Sequence, residues 1–283
     1  MSILFRRWHF ILISTSSVST YQLLRLIGFL RPTILHKITY LVIGGYFPEG
    51  IRSKRFDWKV YNNLKNVVVE GQQLKNTVVQ YSELSNVLVV PNFKDFPLKN
   101  ISTRKYSSNI FMFVFVGQIS EGKGIREILE AREILKNRGF RFQIDFFGPF
   151  EEDFSLDSEM SAYCGFLDFQ SDAEQSYSRL SEYDSLLFPT YWKGEGFPGV
   201  IIDAFVAGLP VIATDWNMNR EIIEDNVNGF IIEPKNSEVL AEKMIWVMEN
   251  QAVLKAIGEN NSKKGKEFQI DEIWPKLIKY VVF

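Results

Sequence analysis

Pro189-Thr190-Tyr191-Trp192-Lys193-Gly194-Glu195-Gly196-Phe197-Pro198-Gly199-Val200-Ile201-Ile202-Asp203-Ala204-Phe205-Val206-Ala207-Gly208-Leu209-Pro210-Val211-Ile212-Ala213-Thr214-Asp215 decides the fold. The apolar run Ser185–Phe188 reads as a strand that stops at Pro189. A glycine-punctuated loop then presents Glu195. Gly196 to Gly199 open a helix over Val200–Ala207, whose first amides have no partner within the helix. Gly208 ends it, and Pro210–Ala213 is the next strand. Strand, loop, helix and strand in this order make a parallel unit whose loops gather at the carboxyl ends of the strands. Asp203 follows Glu195 by eight residues and sits about one and a half turns into a helix that begins near Pro198. Two carboxylates that accept from hydroxyls, with amides between them that donate to phosphate, suit a polyhydroxylated diphosphate.

The same alternation runs outward in both directions. Downstream, Phe230–Ile232 reads as a strand, and Met218–Ile223 and Val239–Glu249 as helices. Upstream, Phe111–Val116, Phe142–Phe147 and Ser161–Phe166 read as strands, and Ile125–Lys136 and Ala173–Ser181 as helices. In the first hundred residues the strands are Phe10–Ser14, Ile38–Ile43, Val67–Glu70 and Val87–Val90, with helices at Tyr21–Leu30, Phe56–Lys65 and Gly71–Tyr81. The polar stretch Lys94 to Asn109 has no apolar period and reads as a linker. The expected division is therefore residues 1–105 and residues 106–283, with the last helix packing back on the first domain.

Two other glycine loops follow strands. Gly117-Gln118-Ile119-Ser120-Glu121-Gly122-Lys123-Gly124 carries one lysine and opens a helix, a setting in which amides and an ammonium hold an anion. It does not match GxxxxGK[ST], because Gly124-Ile125 follows the lysine. Gly148-Pro149-Phe150 ends the next strand and is uninformative alone.

Bulk properties remove several function classes. Net charge is −2, so no global basic field exists for a nucleic acid. One cysteine, Cys164, cannot pair internally and reads as a buried strand residue. His9 and His36 are the only histidines, too few for a histidine-built metal site. No stretch approaches the roughly 18 apolar residues of a membrane span. Arg6 and Arg7 before the run His9–Ile13 loosely mimic a signal peptide, but the run is short and reads as a strand. Tyr21–Arg31, with Arg25 and Arg31, is an amphipathic helix that packs inward or faces a membrane surface.

The Glu195-x7-Asp203 segment resembles the E-x7-E region of the family 4 glycosyltransferases, retaining enzymes with two Rossmann-like domains (the GT-B fold). Ala207-Gly208-Leu209-Pro210-Val211-Ile212-Ala213-Thr214-Asp215 resembles that family too, as do Phe115-Val116-Gly117 with Lys123-Gly124, and Asn228-Gly229-Phe230. These matches fall in order over about 170 residues. The resemblance implies an α/β fold of two Rossmann-like domains with the N-terminal one incomplete, because His9–Ser14 and Ile38–Gly45 look like mid-domain strands. It implies that Lys123 binds the donor diphosphate and that Glu195 contacts the sugar. Gly117 and Gln118 would line the phosphate loop. Phe197, Pro198, Gly199 and Val200 would place amides by sugar and diphosphate, and Asp203 would hold the ribose hydroxyls. The family's arginine beside the loop glycine is replaced by Gln118, and its second glutamate by the shorter Asp203. No histidine matches the family's sugar-contacting one, and Gly44–Glu49 is either an acceptor-side loop or a plain turn.

The implied activity is transfer of a hexose from a nucleoside diphosphate sugar to a hydroxyl acceptor, a glycan or lipid-linked sugar, by a front-side displacement that retains configuration. No metal cofactor is expected, since no Asp-x-Asp motif lies in the donor region. The expected location is cytoplasmic, at the inner face of the membrane if the amphipathic helix docks there. The rival reading is a truncated relative that binds a nucleotide or partner without turnover. A nucleotide-sugar epimerase is a third, less favoured for want of further histidine and acidic residues.

Overall fold

The computed structural model describes residues 9–96, 110–152, 154 and 163–282. The chain divides into two compact units. One comprises Met1–Phe93, Lys193–Phe197 and Ile270–Phe283, the other Lys94–Trp192 and Pro198–Gln269.

The first unit is built as β1 (Ile11–Ile13), α1 (Ser17–Leu30), β2 (Ile38–Leu41), α2 (Tyr46–Arg52), α3 (Lys59–Asn62), β3 (Asn66–Val69), α4 (Gln72–Gln80) and β4 (Val87–Val89). The four strands pair in parallel in the order β1-β2-β3-β4. Their register aligns Ile13, Tyr40, Val67 and Val87 on one face and Leu12, Thr39, Asn66, Val68 and Leu88 on the other, since side chains alternate along a strand. Beside the first face, Tyr21, Tyr40, Phe47, Phe56 and Tyr61 form an aromatic cluster with ring centroids 4.9–6.5 Å apart.

The second unit runs β5 (Phe111–Val116), α5 (Ile125–Asn137), β6 (Phe142–Phe147), α6 (Ala173–Leu180), β7 (Ser185–Phe188), α7 (Gly199–Val206), β8 (Val211–Thr214), α8 (Asn219–Ile222), β9 (Gly229–Ile232), α9 (Ser237–Glu249) and α10 (Gln251–Gly265). All five strands are parallel, in the order β6-β5-β7-β8-β9. The near-continuous apolar runs of β5, β7 and β8 fit strands covered on both faces. Strand order reverses between β5 and β7, so the loops leaving these two strands part and open a crevice at their carboxyl ends. Phe113, Ile128, Leu135, Phe230, Leu240 and Met244 belong to one core at 0% exposure.

The last helix, α11 (Ile270–Val282), belongs to the first unit. Its Ile273, Leu277 and Val281 recur every fourth residue and bury against Val68 and Val90. Each such burial contributes about 1.5–3 kcal/mol. The end of α11 leaves carbonyls without intrahelical donors. Thr39 Oγ1 and Asn66 Nδ2 donate to Tyr280 O at 3.4 and 2.7 Å, and Lys65 Nζ to Val281 O at 3.1 Å. A lysine there also opposes the negative end of the helix dipole.

Several expectations change. Of the strand expected at Ser161–Phe166, residues 161–162 lie outside the described residues, and the described part, Tyr163–Phe166, is not a strand but an isolated bridge from Tyr163 to Phe146. Gly165, at φ +85°, still accepts from Gly148 N at 2.9 Å, and Phe166 beyond it is 67% exposed. Cys164 is therefore exposed rather than buried. Its thiol pKa is still raised, by desolvation and by the nearby Asp145 carboxylate, which disfavours a nucleophilic thiolate. The helix expected over Phe56–Lys65 shrinks to Lys59–Asn62, with β-branched, aromatic and asparagine residues of weak helix propensity. Gly44–Glu49 is not a plain turn, because α2 starts at Tyr46 and carries Pro48 in its first turn, where the missing N–H is harmless. Helix α1 starts earlier than Tyr21: Ser16 caps it, its Oγ accepting from Ser19 N at 3.2 Å. Arg6, Arg7 and residues 97–109 of the expected linker lie outside the described residues. Lys94 and Phe96 are packed against the second unit rather than extended.

Candidate functional site

The glycine loop after β5 is rigidly placed within the second unit. Gly117 N donates to Phe147 O at 2.9 Å and Ile119 N to Pro149 O at 2.7 Å, so the loops after β5 and β6 are zipped together. The zipper requires Gly148: its φ is +135°, and a Cβ there would lie 1.9 Å from Gly117 O. Tyr191 N donates to Gly122 O at 2.9 Å, which ties the same loop to the one after β7. Glu121–Lys123 form a short 3-10 turn, and Gly124 caps the start of α5.

Lys123 is held by aromatic faces. Its Nζ lies 4.6 Å from the Trp192 ring centroid and 6.0 Å from that of Phe188. A cation–π contact of this kind contributes about 0.5–2 kcal/mol and leaves the ammonium directed rather than wandering. Trp192 is itself fixed, since its backbone carbonyl accepts from Trp216 Nε1 at 2.8 Å. Gln118 is exposed on the same loop. The structure therefore brings Gly117, Gln118 and Lys123 together at the switch point of the five-stranded sheet.

Helix α7 begins with Pro198 as N-cap and Gly199 and Val200 as its first residues. Their amides precede the intrahelical ladder, as expected for an anion-binding end. Asp203 lies deeper than the sequence implied, at 2% exposure. Its Oδ1 accepts from Tyr177 Oη at 2.8 Å and its Oδ2 pairs with Lys94 Nζ. Burial raises the Asp203 pKa, against the opposing pull of Lys94 and then of Tyr177. Burial and the same carboxylate push the Tyr177 hydroxyl far up, so it stays a donor. Lys94 Nζ also sits 5.2 Å from the Phe169 ring centroid.

Glu195 and Phe197 belong to the first unit, with the segment Lys193–Phe197. There Gly45 N donates to Gly194 O at 3.3 Å, and Asn92 Nδ2 to Phe197 O at 3.1 Å. Glu195 is 8% exposed. Near it stands Glu70, 5% exposed, whose Oε2 accepts from Gly44 N at 2.8 Å and Phe197 N at 3.4 Å. Burial raises the Glu70 pKa and the Glu195 charge adds to the rise, while the two backbone donors lower it.

Sequence reasoning passed over Glu70, Lys94, Tyr177 and Trp192. Only Glu70 left a signal, a lone carboxylate closing the apolar run Val67–Val69. Among the described residues no group of three or more histidine, cysteine, aspartate or glutamate side chains is placed to hold a metal ion.

Residues 99–264 match the family model for glycosyl transferases group 1. The capsular polysaccharide biosynthesis glycosyltransferase CapM of Staphylococcus aureus is 26% identical over 180 residues, covering 61% of this chain and 46% of CapM. The amylovoran biosynthesis glycosyltransferase AmsK of Erwinia amylovora is 25% identical over 162 residues, 54% of this chain and 40% of AmsK. The chain thus spans less than half the length of these curated relatives. In fold, it matches Anabaena HepE, solved with UDP, at a TM-score of 0.74 and 17% identity over 95% of this chain and 78% of HepE. The same protein is also solved with UDP-glucose. The family match covers more than half of the sequence and includes the β5 loop, Lys123 and the Glu195–Asp203 segment: the chain belongs to the glycosyl transferases group 1 family.

Proposed function

We propose that this protein transfers a hexose from a nucleoside diphosphate sugar to a hydroxyl of a glycan or lipid-linked acceptor, with retention of configuration. The observation that carries this is the ammonium of Lys123, held over Trp192 in a glycine loop at the sheet's switch point. An ammonium and loop amides stabilise the charge that develops on a departing diphosphate, the term that usually dominates catalysis. Gln118, Gly199 and Val200 supply further donors, Gly117 shapes the loop with its own N–H spent on Phe147 O, and Glu195 accepts from hydroxyls of the sugar. Ribose hydroxyls would share Asp203 with Lys94 and Tyr177. Support comes from HepE, solved with UDP and UDP-glucose, and from CapM and AmsK, named for polysaccharide biosynthesis. No step is assigned to a metal.

For the acceptor, the first unit offers a cavity of about 260 Å³. Its walls are mostly apolar, with Val18 and Phe56 among them, and Ser16, Ser17, Glu49, Ser53 and Arg55 add hydroxyls and charges able to meet an acceptor's hydroxyls. The test is release of free nucleoside diphosphate from a panel of sugar donors. Turnover that Glu195→Ala abolishes, while UDP still shifts the melting temperature, supports the enzyme. Binding without turnover in the parent protein supports the non-catalytic rival.

Helix α1 favours a peripheral membrane contact as well. Leu26, Phe29 and Leu30 recur at helical spacing and are 51, 84 and 53% exposed. No Asp or Glu precedes Glu49 in the sequence, whereas Arg6, Arg7, Arg25, Arg31 and Lys37 do. An apolar stripe in a purely cationic stretch suits the inner face of an anionic bilayer. No helix among the described residues is long and apolar enough to cross one. Flotation with phosphatidylglycerol vesicles, lost with neutral vesicles and with Phe29→Glu, is the expected result. Equal flotation in all three would count against the contact.

A further inference from the structure

We propose that Glu70 is a positioning residue for Glu195, and that its carboxylate holds the segment Gly194–Phe197 in a single conformation. This rests on the reading of Glu195 as the sugar-contacting acid. Glu70 directly follows β3, at the carboxyl edge of the four-stranded sheet, and is buried at 5% exposure. A buried carboxylate is retained only where its oxygens meet donors. Oε2 of Glu70 meets two, Gly44 N at 2.8 Å and Phe197 N at 3.4 Å, from chain segments more than 150 residues apart. One oxygen atom therefore bridges the turn after β2 and the residue two beyond Glu195.

The packing around this bridge leaves little slack. A Cβ on Gly196 would lie 2.5 Å from Gly44 Cα and 2.7 Å from Glu70 Oε2. A Cβ on Gly45 would lie 2.8 Å from Glu195 O. Together with Gly45 N on Gly194 O and Asn92 Nδ2 on Phe197 O, the bridge fixes both sides of Glu195. Removal of Glu70 takes this acceptor from the part-buried Gly44 amide and the buried Phe197 amide and releases the segment on one side. Glutamine keeps one carbonyl oxygen of the same reach, so Glu70→Gln retains the bridge and Glu70→Ala does not.

The experiment compares Glu70→Ala and Glu70→Gln by hydrogen exchange, by donor turnover and by UDP affinity. In Glu70→Ala, amide exchange in peptides covering Gly44 and residues 194–197 is expected to rise about tenfold, as for a locally opened segment. Turnover should fall about 100-fold in kcat with KM little changed, the scale of a small misplacement of a reacting group. UDP affinity should hold, and Glu70→Gln should recover both exchange and kcat. Unchanged exchange in Glu70→Ala overturns the proposal, and so does faster exchange with unchanged kcat. If the parent protein turns over no donor, the transferase reading fails instead, and exchange alone decides whether Glu70 holds the segment.

Discussion

Replacing Lys94 with methionine keeps most of the length of the side chain and removes its charge. Asp203 is then left at 2% exposure with Tyr177 as its one remaining partner among those described. Stripping one partner from a buried ion pair destabilises by about 3–5 kcal/mol. The carboxylate has an escape, because it can take up a proton. From its ordinary pKa of 3.8, that uptake costs about 4 kcal/mol at pH 7 and about 1.5 kcal/mol at pH 5, at 1.36 kcal/mol per unit. The expected loss is therefore about 3–4 kcal/mol at pH 7, falling to about 1.5 kcal/mol at pH 5. The sign follows from the direction of the shift. An acid whose folded pKa lies above its unfolded one binds its proton more tightly when folded, so stability is gained as pH falls and lost as pH rises through the folded pKa. Urea unfolding followed by circular dichroism at the two pH values measures both losses. The double substitution Lys94→Met with Asp203→Asn should recover most of the loss at pH 7. A loss below 1 kcal/mol at pH 7, or one that does not shrink at pH 5, refutes the reasoning.

Lys123→Ala should weaken UDP binding about 10-fold or more, as loss of a charge-assisted hydrogen bond of about 1.5–3 kcal/mol implies, while the melting temperature without nucleotide stays near the parent value; calorimetric titration reads the affinity and thermal unfolding the melting temperature. Gly148→Ala combines a φ of +135° with a Cβ 1.9 Å from Gly117 O, so it should destabilise by more than about 2 kcal/mol and weaken UDP binding by loosening the loop. Leu277→Ala removes a fully buried side chain of α11 and should destabilise by about 2–5 kcal/mol in thermal or urea unfolding, with UDP affinity unchanged in the folded fraction.

The fold was legible where sequence and packing say the same thing. Phe111–Val116 and Ser185–Phe188 are strands with the predicted ends, because strands buried on both faces read as near-continuous apolar runs; Phe142–Phe147 also keeps its predicted ends although Gln143 and Asp145 interrupt its run. Tyr163–Phe166 is equally apolar, but it lies where only one bridge forms, and apolarity alone does not reveal an edge. Helix α2 was hidden behind Gly44-Gly45 and Pro48, which read as breakers unless the proline falls in the first turn. At the candidate site, the glycine loop with Lys123 and the α7 start at Pro198 were visible from local spacing. The partners of these residues were not. Lys94 meets Asp203 across 109 positions and Glu70 meets Phe197 across 127, and no local pattern encodes pairings at such separations. The depth of Asp203 was missed for the same reason: the helical face that carries it is set by what packs on α7, which lies elsewhere in the sequence.

The placement of α11 bears on how the molecule is made. The first unit needs residues from both ends of the chain, with the whole span Lys94–Gln269, less the short loop Lys193–Phe197, made in between. At 5–20 residues per second, roughly 180 residues take about 10–35 s to emerge from a ribosome. For that time the sheet face bearing Leu12, Leu41, Val68 and Leu88 has no α11 to cover it, and Thr39 and Asn66 have no helix end to bind. The second unit, almost contiguous in sequence, is placed to fold first. The first unit waits for the last turn of the last helix, and its exposed face in that interval is where a chaperone or another nascent chain would attach.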